Sequence, residues 1–142
     1  MAIFDFDVHH GNGTQEVFYT DPSVLYVSLH RRSLGFYPGT GGADETGDDS
    51  GAGFSVNVPF AEGGLTGADY SAAMRFIVLP IIGCFEPDLL LISAGFDAAA
   101  GDPLGGMALS PAAFASSAWL FRELFYNLLV SHYTRNSLCP LQ

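Results

Sequence analysis

Leu89-Leu90-Leu91-Ile92-Ser93-Ala94 is a nearly continuous apolar run, introduced by Glu86-Pro87-Asp88 and closed by Gly95-Phe96-Asp97. A strand with one wet face alternates apolar and polar residues, whereas a short unbroken run is typical of a central parallel strand covered on both faces. Parallel neighbours need crossover connections, usually helical, so this run commits the chain to α/β architecture. Ala2 to Val8 reads as a second buried strand, interrupted only by Asp5 and Asp7. Both strands end in acids, where open parallel sheets place their ligands.

The remaining segments fit that layering. Gly11-Asn12-Gly13-Thr14 breaks the first strand and precedes a short helix from Thr14 to about Tyr19, stopped by Asp21-Pro22. Val24 to His30 reads as a strand, and Phe54 to Val58 as another that Pro59 ends. Between them, Arg31 to Gly53 is a long loop rich in Gly and Asp, a length usually reserved for function or disorder. Tyr70, Ala73, Met74, Ile77 and Ile81 recur at helical spacing, predicting a helix over about Gly67 to Cys84 with a kink at Pro80. A last helix is expected from Pro111 to about Val130, with Ser110 as its cap.

Composition removes several function classes. The chain of 142 residues carries 15 acidic side chains against 5 arginines and no lysine, a net charge of −10. Without a basic stripe, direct binding to nucleic acid or to an anionic membrane is disfavoured. The apolar runs Phe76 to Phe85 and Leu89 to Ile92 are too short to span a bilayer and are broken by Pro80, Pro87 and Asp88. Acids occupy the N-terminus where a signal peptide would carry basic residues. Two cysteines, Cys84 and Cys139, make neither a disulfide framework nor a cysteine zinc site, so a reducing, intracellular setting is expected.

Asp5-Phe6-Asp7-Val8-His9-His10-Gly11 is the densest cluster of ligand-type side chains. Asp7 and His9, two apart at a strand end, project to the same side, with Asp5 there too. Carboxylate plus imidazole suits Zn²⁺, and a catalytic zinc site takes three protein ligands and keeps one position open. Asp97 can supply the third if the two strands are neighbours. Taken singly, an Asp after a strand is more often a turn cap and a His more often structural; four such residues within six positions are harder to dismiss. A competing reading is the haloacid-dehalogenase type of phosphatase, which also begins Asp-x-Asp-x-Val at a strand end. It typically needs a downstream Lys, which Arg75 would have to replace from within an apolar helix, so it ranks below a zinc hydrolase.

The stretch from Phe4 through Asp7-Val8-His9-His10-Gly11-Asn12-Gly13 to Gln15 resembles the signature of zinc-dependent histone deacetylases, and Asn12 is similar to the class II and bacterial amidohydrolase branch. The likeness continues through Val27-Ser28-Leu29-His30, Tyr37-Pro38-Gly39-Thr40-Gly41, Ser55-Val56-Asn57-Val58-Pro59, Ser93-Ala94-Gly95-Phe96-Asp97 and Gly101-Asp102-Pro103-Leu104-Gly105-Gly106. It implies the central part of an open, mainly parallel α/β sheet with helices on both faces, arginase/deacetylase-like and truncated at both ends. Residues 1–126 would be a partial deacetylase domain and 127–142 a divergent tail.

By the same resemblance Asp7, His9 and Asp97 are the zinc ligands, while Asp5, His10 and Asn12 support them. A monovalent cation, K⁺, falls to Asp5, the Ser28 hydroxyl and the main chain of Asp7, His9 and Leu29. Tyr37, with Phe36, lines the acetyl-lysine tunnel. Asp102 is a further acid at the strand ends. The family's tandem histidines precede the first strand, and its oxyanion donor follows a Gly-Gly pair after a further strand. No catalytic acid or base is therefore assigned here, and neither His132 nor Tyr133 receives a role.

The implied activity is hydrolysis of acetyl-lysine in histones or other proteins, with corepressor-type partners, in nucleus or cytoplasm. The alternatives are a silent fragment acting by interaction only, and an acetylpolyamine-type amidohydrolase.

Overall fold

The computed structural model describes residues 1–137, with side chains through Leu129. Cys139 lies outside the described residues. Four parallel strands form one sheet: β1 (Ala2–Asp5), β2 (Leu25–Arg31), β3 (Ser55–Phe60) and β4 (Leu90–Ser93), in the order β3-β2-β1-β4. The helices are α1 (Asn12–Phe18), α2 (Gly67–Ala73), α3 (Leu79–Phe85) and α4 (Pro111–Ser137). The last helix runs past the expected end at Val130.

One expectation about the sheet changes. The apolar run at Leu90–Ser93 is not central: among the described residues β4 is an edge, and Leu91 and Ile92 are 45% and 42% exposed. The strand near Ala2 is paired on both sides, Ala2 with Leu25 and with Leu90. All four residues of β1 are buried, including Asp5. An unbroken apolar run shows that both faces of a strand are apolar and says nothing about which strands flank it or cover it.

The two faces of the sheet are chemically unlike. Ala2, Phe4, Leu25, Val27 and Leu29 point into the main core, where Tyr70, Met74, Val78 and Ile82 from the 67–85 helix and Leu120 and Phe121 from α4 pack on them. The opposite face carries Ile3 and Tyr26 with Phe18 of α1, and then turns polar through Asp5, Ser28, His30, Ser55 and Asn57, all buried. Helices thus cover both faces, one layer apolar and the other hydrogen-bonded.

Pro59 does not end its strand. The bonds from Tyr26 N–H to the Phe54 carbonyl and from Arg32 N–H to Phe60 put the even-numbered residues of β3 on the paired side. Odd-numbered Pro59 faces the open edge, where no N–H is required. Pro80 leaves no simple kink either. It cannot donate to the carbonyl four residues back, and the helix reaches it through a wide π turn over Met74–Val78.

The 67–85 stretch as a whole is long and apolar enough to cross a membrane by length and composition, which corrects the view that no run is. Here its buried stripe is spent on the sheet.

The start of α2 is tied to the loop between β4 and α4, through Gly64 N–H to the Gly106 carbonyl and Ala108 N–H to Leu65. A capping box fixes that start: the Thr66 hydroxyl accepts from Ala68 N–H at 3.3 Å and the Asp69 carboxylate from Thr66 N–H at 2.8 Å. Thr66→Ala is expected to cost about 1 kcal/mol of stability, read from thermal or urea denaturation.

Candidate metal centre

β1 stops at Asp5, not Val8, and the chain then enters a turn built from side chains. The Asp5 carboxylate accepts Asp7 N–H at 3.1 Å, and Asp7 in turn accepts His9 N–H at 2.8 Å. Two successive bonds of this kind fold the segment so that acid and imidazole converge. Because β4 neighbours β1, the loop after β4 delivers Asp97 to the same place. Its carboxylate accepts Val8 N–H at 2.8 Å through one oxygen and lies 2.7 Å from His9 Nδ1 through the other. Asp7 is 3.1 Å from the same nitrogen. One ligand atom from each of Asp7, His9 and Asp97 lies within 4.8 Å of the others.

Several observations fit this trio to a cation. A Cβ on Gly95 would overlap the Asp7 carboxylate, and one on Gly105 the Asp97 carbonyl, so both loops close in only because these residues lack side chains. Burial, then the neighbouring charge of Asp97, pushes the Asp7 carboxyl above its ordinary range. Two crowded carboxylates of that kind are relieved by a positive ion. The donor set, two carboxylate oxygens and a ring nitrogen, is one zinc accepts.

A cleft of about 440 Å³ opens beside Asp7 and His9, lined also by Asp5, His10, Thr14 and Tyr37 among others. Phe36 stacks on His9 with ring centroids 4.9 Å apart and planes at 10°, and Tyr37 meets the same ring edge-on at 6.2 Å. Tyr37 as a residue is 74% exposed, at the rim.

A model of the histone deacetylase domain matches residues 1–131. The chain belongs to the histone deacetylase family. It is 54% identical to Histone deacetylase 15 of Arabidopsis thaliana over 125 residues, which is 87% of this chain and 23% of that protein. It is 57% identical to Histone deacetylase 7 of Homo sapiens over 121 residues, 80% of this chain and 13% of that protein. Among solved structures, the crystal structure of the HDA15 HD domain superimposes with a TM-score of 0.85 at 52% identity, covering 87% of this chain and 35% of that one. The chain therefore spans about a quarter or less of the curated relatives' length.

Within this deacetylase-family frame the other expected site residues separate. The strand register sets Asp5 beside Ser28, with Leu29 next along β2, so the groups expected around a monovalent cation are neighbours. Burial pushes the Asp5 carboxyl up to about 6. His10 sits behind the trio with both nitrogens engaged, by Thr40 and Gln15. Asn12 turns along α1 to Glu16, at 3.4 Å. Asp102 does not join the cluster: its carboxylate accepts from the N–H groups of Leu104 and Gly105 and caps that turn. Arg75 is exposed on the π turn and absent from the cleft lining, so it offers no phosphate clamp.

Sequence reasoning missed Arg31, whose guanidinium lies 4.6 Å over the Phe36 ring and donates to the Gly105 carbonyl at 3.2 Å. It thereby joins the loop of Phe36 to the loop of Asp97. It also missed Gln15, Glu45 and Asn57. A readable signal existed: Tyr26, Ser28 and His30 form a polar stripe at spacing two between Leu25, Val27 and Leu29. That is the mark of a strand with a buried polar face.

Proposed function

We propose that this chain carries the metal-holding core of a zinc-dependent lysine deacetylase, with Asp7, His9 and Asp97 as the zinc ligands. The observation that carries the reading is the convergence of those three side chains at the ends of adjacent parallel strands, in a member of the histone deacetylase family. When bound, zinc polarises an amide carbonyl and acidifies a water molecule. The chain's own residues supply the rest of the setting. Val8 N–H fixes the Asp97 carboxylate, and the backbone of His9 fixes Asp7. Phe36 covers one face of the His9 ring and keeps water from it, with Arg31 against the Phe36 ring. Tyr37 at the rim flanks the path of an acylated side chain, as the resemblance implies.

His10 is not offered as the proton-transfer group. Burial holds its pKa below the usual histidine range, and both ring nitrogens are committed. Asp5, His10 and Asn12 are proposed as supporting residues, and Asp5, Ser28 and Leu29 as the seat of a monovalent cation such as K⁺. Residues 1–126 are proposed as the deacetylase portion; their boundary with 127–142 falls inside α4. An intracellular setting, nuclear or cytoplasmic, with acetylated protein substrates and corepressor-type partners, belongs to the same proposal.

The second reading is an interaction-only product, which would hold the metal without turning over an acetylated substrate. Metal analysis of the dialysed protein is expected to give one zinc per chain, and a zinc-free protein that takes up none would overturn the assignment. Turnover of an acetyl-lysine peptide and of an acetylated polyamine by the zinc-loaded protein separates the readings. Chelator-sensitive turnover supports the enzyme, its preference names the substrate class, and zinc without turnover supports the interaction product.

A further inference from the structure

The turn Thr40-Gly41-Gly42 lies just beyond Phe36 and Tyr37 in the β2–β3 loop, and each of its residues is gripped by a different partner. The Thr40 hydroxyl lies 2.8 Å from His10 Nδ1, His30 Nε2 donates to the Gly41 carbonyl at 2.9 Å, and Gly42 N–H donates to the Glu45 carboxylate at 2.8 Å. Gly41 has a φ of 81°, and a Cβ there would strike the rings of His10 and His30. The packing therefore demands glycine between the two imidazoles.

These grips form a directed circuit. Gln15 donates through Nε2 to the other Glu45 oxygen at 2.8 Å, so its Oε1 faces inward as an acceptor, already taking Asn57 Nδ2 at 2.6 Å. His10 Nε2, 3.1 Å from that same oxygen, must be the protonated nitrogen, and Nδ1 then accepts the Thr40 hydroxyl proton. The order of donation is Thr40 to His10 to Gln15 to Glu45, and Glu45 closes the ring on Gly42, two residues from its start. Asn57 also donates to the Glu45 carbonyl at 3.0 Å, holding the acid's backbone.

From this closed circuit we infer that Glu45, through Gln15 and His10, is a positioning residue for the aromatic wall formed by Phe36 and Tyr37. The wall itself has few anchors: Phe36 N–H bonds to the Ser33 carbonyl, and the rings lean on His9 and Arg31. The turn immediately after it is fixed at three consecutive residues. His10, which supports Thr40, is also the chain neighbour of His9, so wall and metal ligand are set from one support. The inference rests on the proposed deacetylase reading only for what the wall does, since the circuit exists whatever the chain binds.

Reciprocal substitution tests it. Glu45→Gln places an amide nitrogen against the Gln15 amide nitrogen and breaks the direction of donation. Adding Gln15→Glu restores it, because a carboxylate at 15 accepts from His10, from Asn57 and from the new amide, whose oxygen still accepts Gly42 N–H. Hydrogen exchange of the Phe36 amide, bonded to the Ser33 carbonyl, is expected to speed up about five- to tenfold in Glu45→Gln, the scale of one lost hydrogen bond, and to return close to the parent rate in the double variant. Thr40→Val, which opens the circuit at its other end without touching the acid, should reproduce the single variant's pattern.

Faster exchange confined to Gly42, with Phe36 unchanged, would reduce Glu45 to a local cap and overturn the inference. A double variant no better than the single one would overturn the circuit. Zinc titration of the same proteins keeps the two readings apart: a parent that binds no zinc but shows the exchange pattern refutes the metal assignment and leaves the circuit standing.

Discussion

Asp97→Ala is expected to lower the zinc affinity proposed for the trio by more than the roughly 10–100-fold that loss of a residue merely supporting a ligand costs. Asp97 contributes a charged oxygen to the trio and, through the other oxygen, holds Val8 N–H, three residues beyond the end of β1 at Asp5. Removing it takes away a proposed ligand and loosens the turn that carries the other two. Gly95→Ala should act in the same direction with all three ligands present. The added methyl overlaps the Asp7 carboxylate, so either the carboxylate or the β4 end must move, and a drop of about 10–100-fold is expected on the scale of misoriented ligands. Competition against a chelator measures both, and an unchanged circular dichroism spectrum separates site damage from unfolding. A Gly95→Ala protein that held zinc as tightly as the parent would show that Asp7 binds from some other position than the one it occupies against Gly95.

Acid should destabilise the fold through His30, and the sign is set by its surroundings. His30 is fully buried, donates to the Gly41 carbonyl and accepts from the Ser28 hydroxyl, and burial lowers its pKa to about 4 from an unfolded value of 6.5. The unfolded chain therefore takes up this proton first as pH falls. The stability His30 contributes is whole above pH 6.5 and is lost progressively toward pH 4, by about 3 kcal/mol in total.

Asp5 runs the other way. Its carboxyl is pushed up to about 6 in the fold from 3.8, so the folded state takes up that proton first and gains stability as pH falls through the same window. In the parent's own pH profile the two groups therefore oppose one another. The measurement that isolates His30 is the difference between parent and His30→Gln, whose amide can still reach Gly41 but does not titrate. That difference in unfolding free energy should shrink steadily between pH 6.5 and pH 4. A difference independent of pH would show that His30 is not held neutral.

The meeting of Asp7, His9 and Asp97 was legible because the pattern that suggests it is local. Asp7 and His9 stand two residues apart, and Asp97 comes after an apolar run, so residue type and strand-end position suffice to bring them into one hypothesis. The parallel α/β layering was legible for a similar reason, since Ala2–Asp5 and Leu90–Ser93 both advertise burial. Their order was not, because hydropathy records how much water a strand avoids and leaves its neighbours unstated. Leu91 and Ile92 look central by composition and lie at an edge among the described residues. Gln15, Glu45 and Asn57 were invisible for a different reason. They are polar residues 30 and 42 positions apart in their pairings, each unremarkable alone, and only the closed fold turns them into donors and acceptors of one another. Pro59 and Pro80 show the same limit on a smaller scale: the residue forbids one bond, but the sheet edge or the π turn decides what happens instead.

The unlike faces of the sheet set two different rules for how this sequence can drift. On the side of Phe4, Val27 and Leu29, one apolar residue gives way to another of similar volume with modest loss, so substitutions there can arrive one at a time. On the side of Tyr26, Ser28, His30 and Asn57, most side chains are half of a directed donor–acceptor pair, and a lone replacement strands its partner in a dry interior. Change on that side has to come in matched pairs or be rejected. Related lineages should therefore carry scattered, independent differences under α2 to α4, and linked ones between β2, α1 and the loop between β2 and β3.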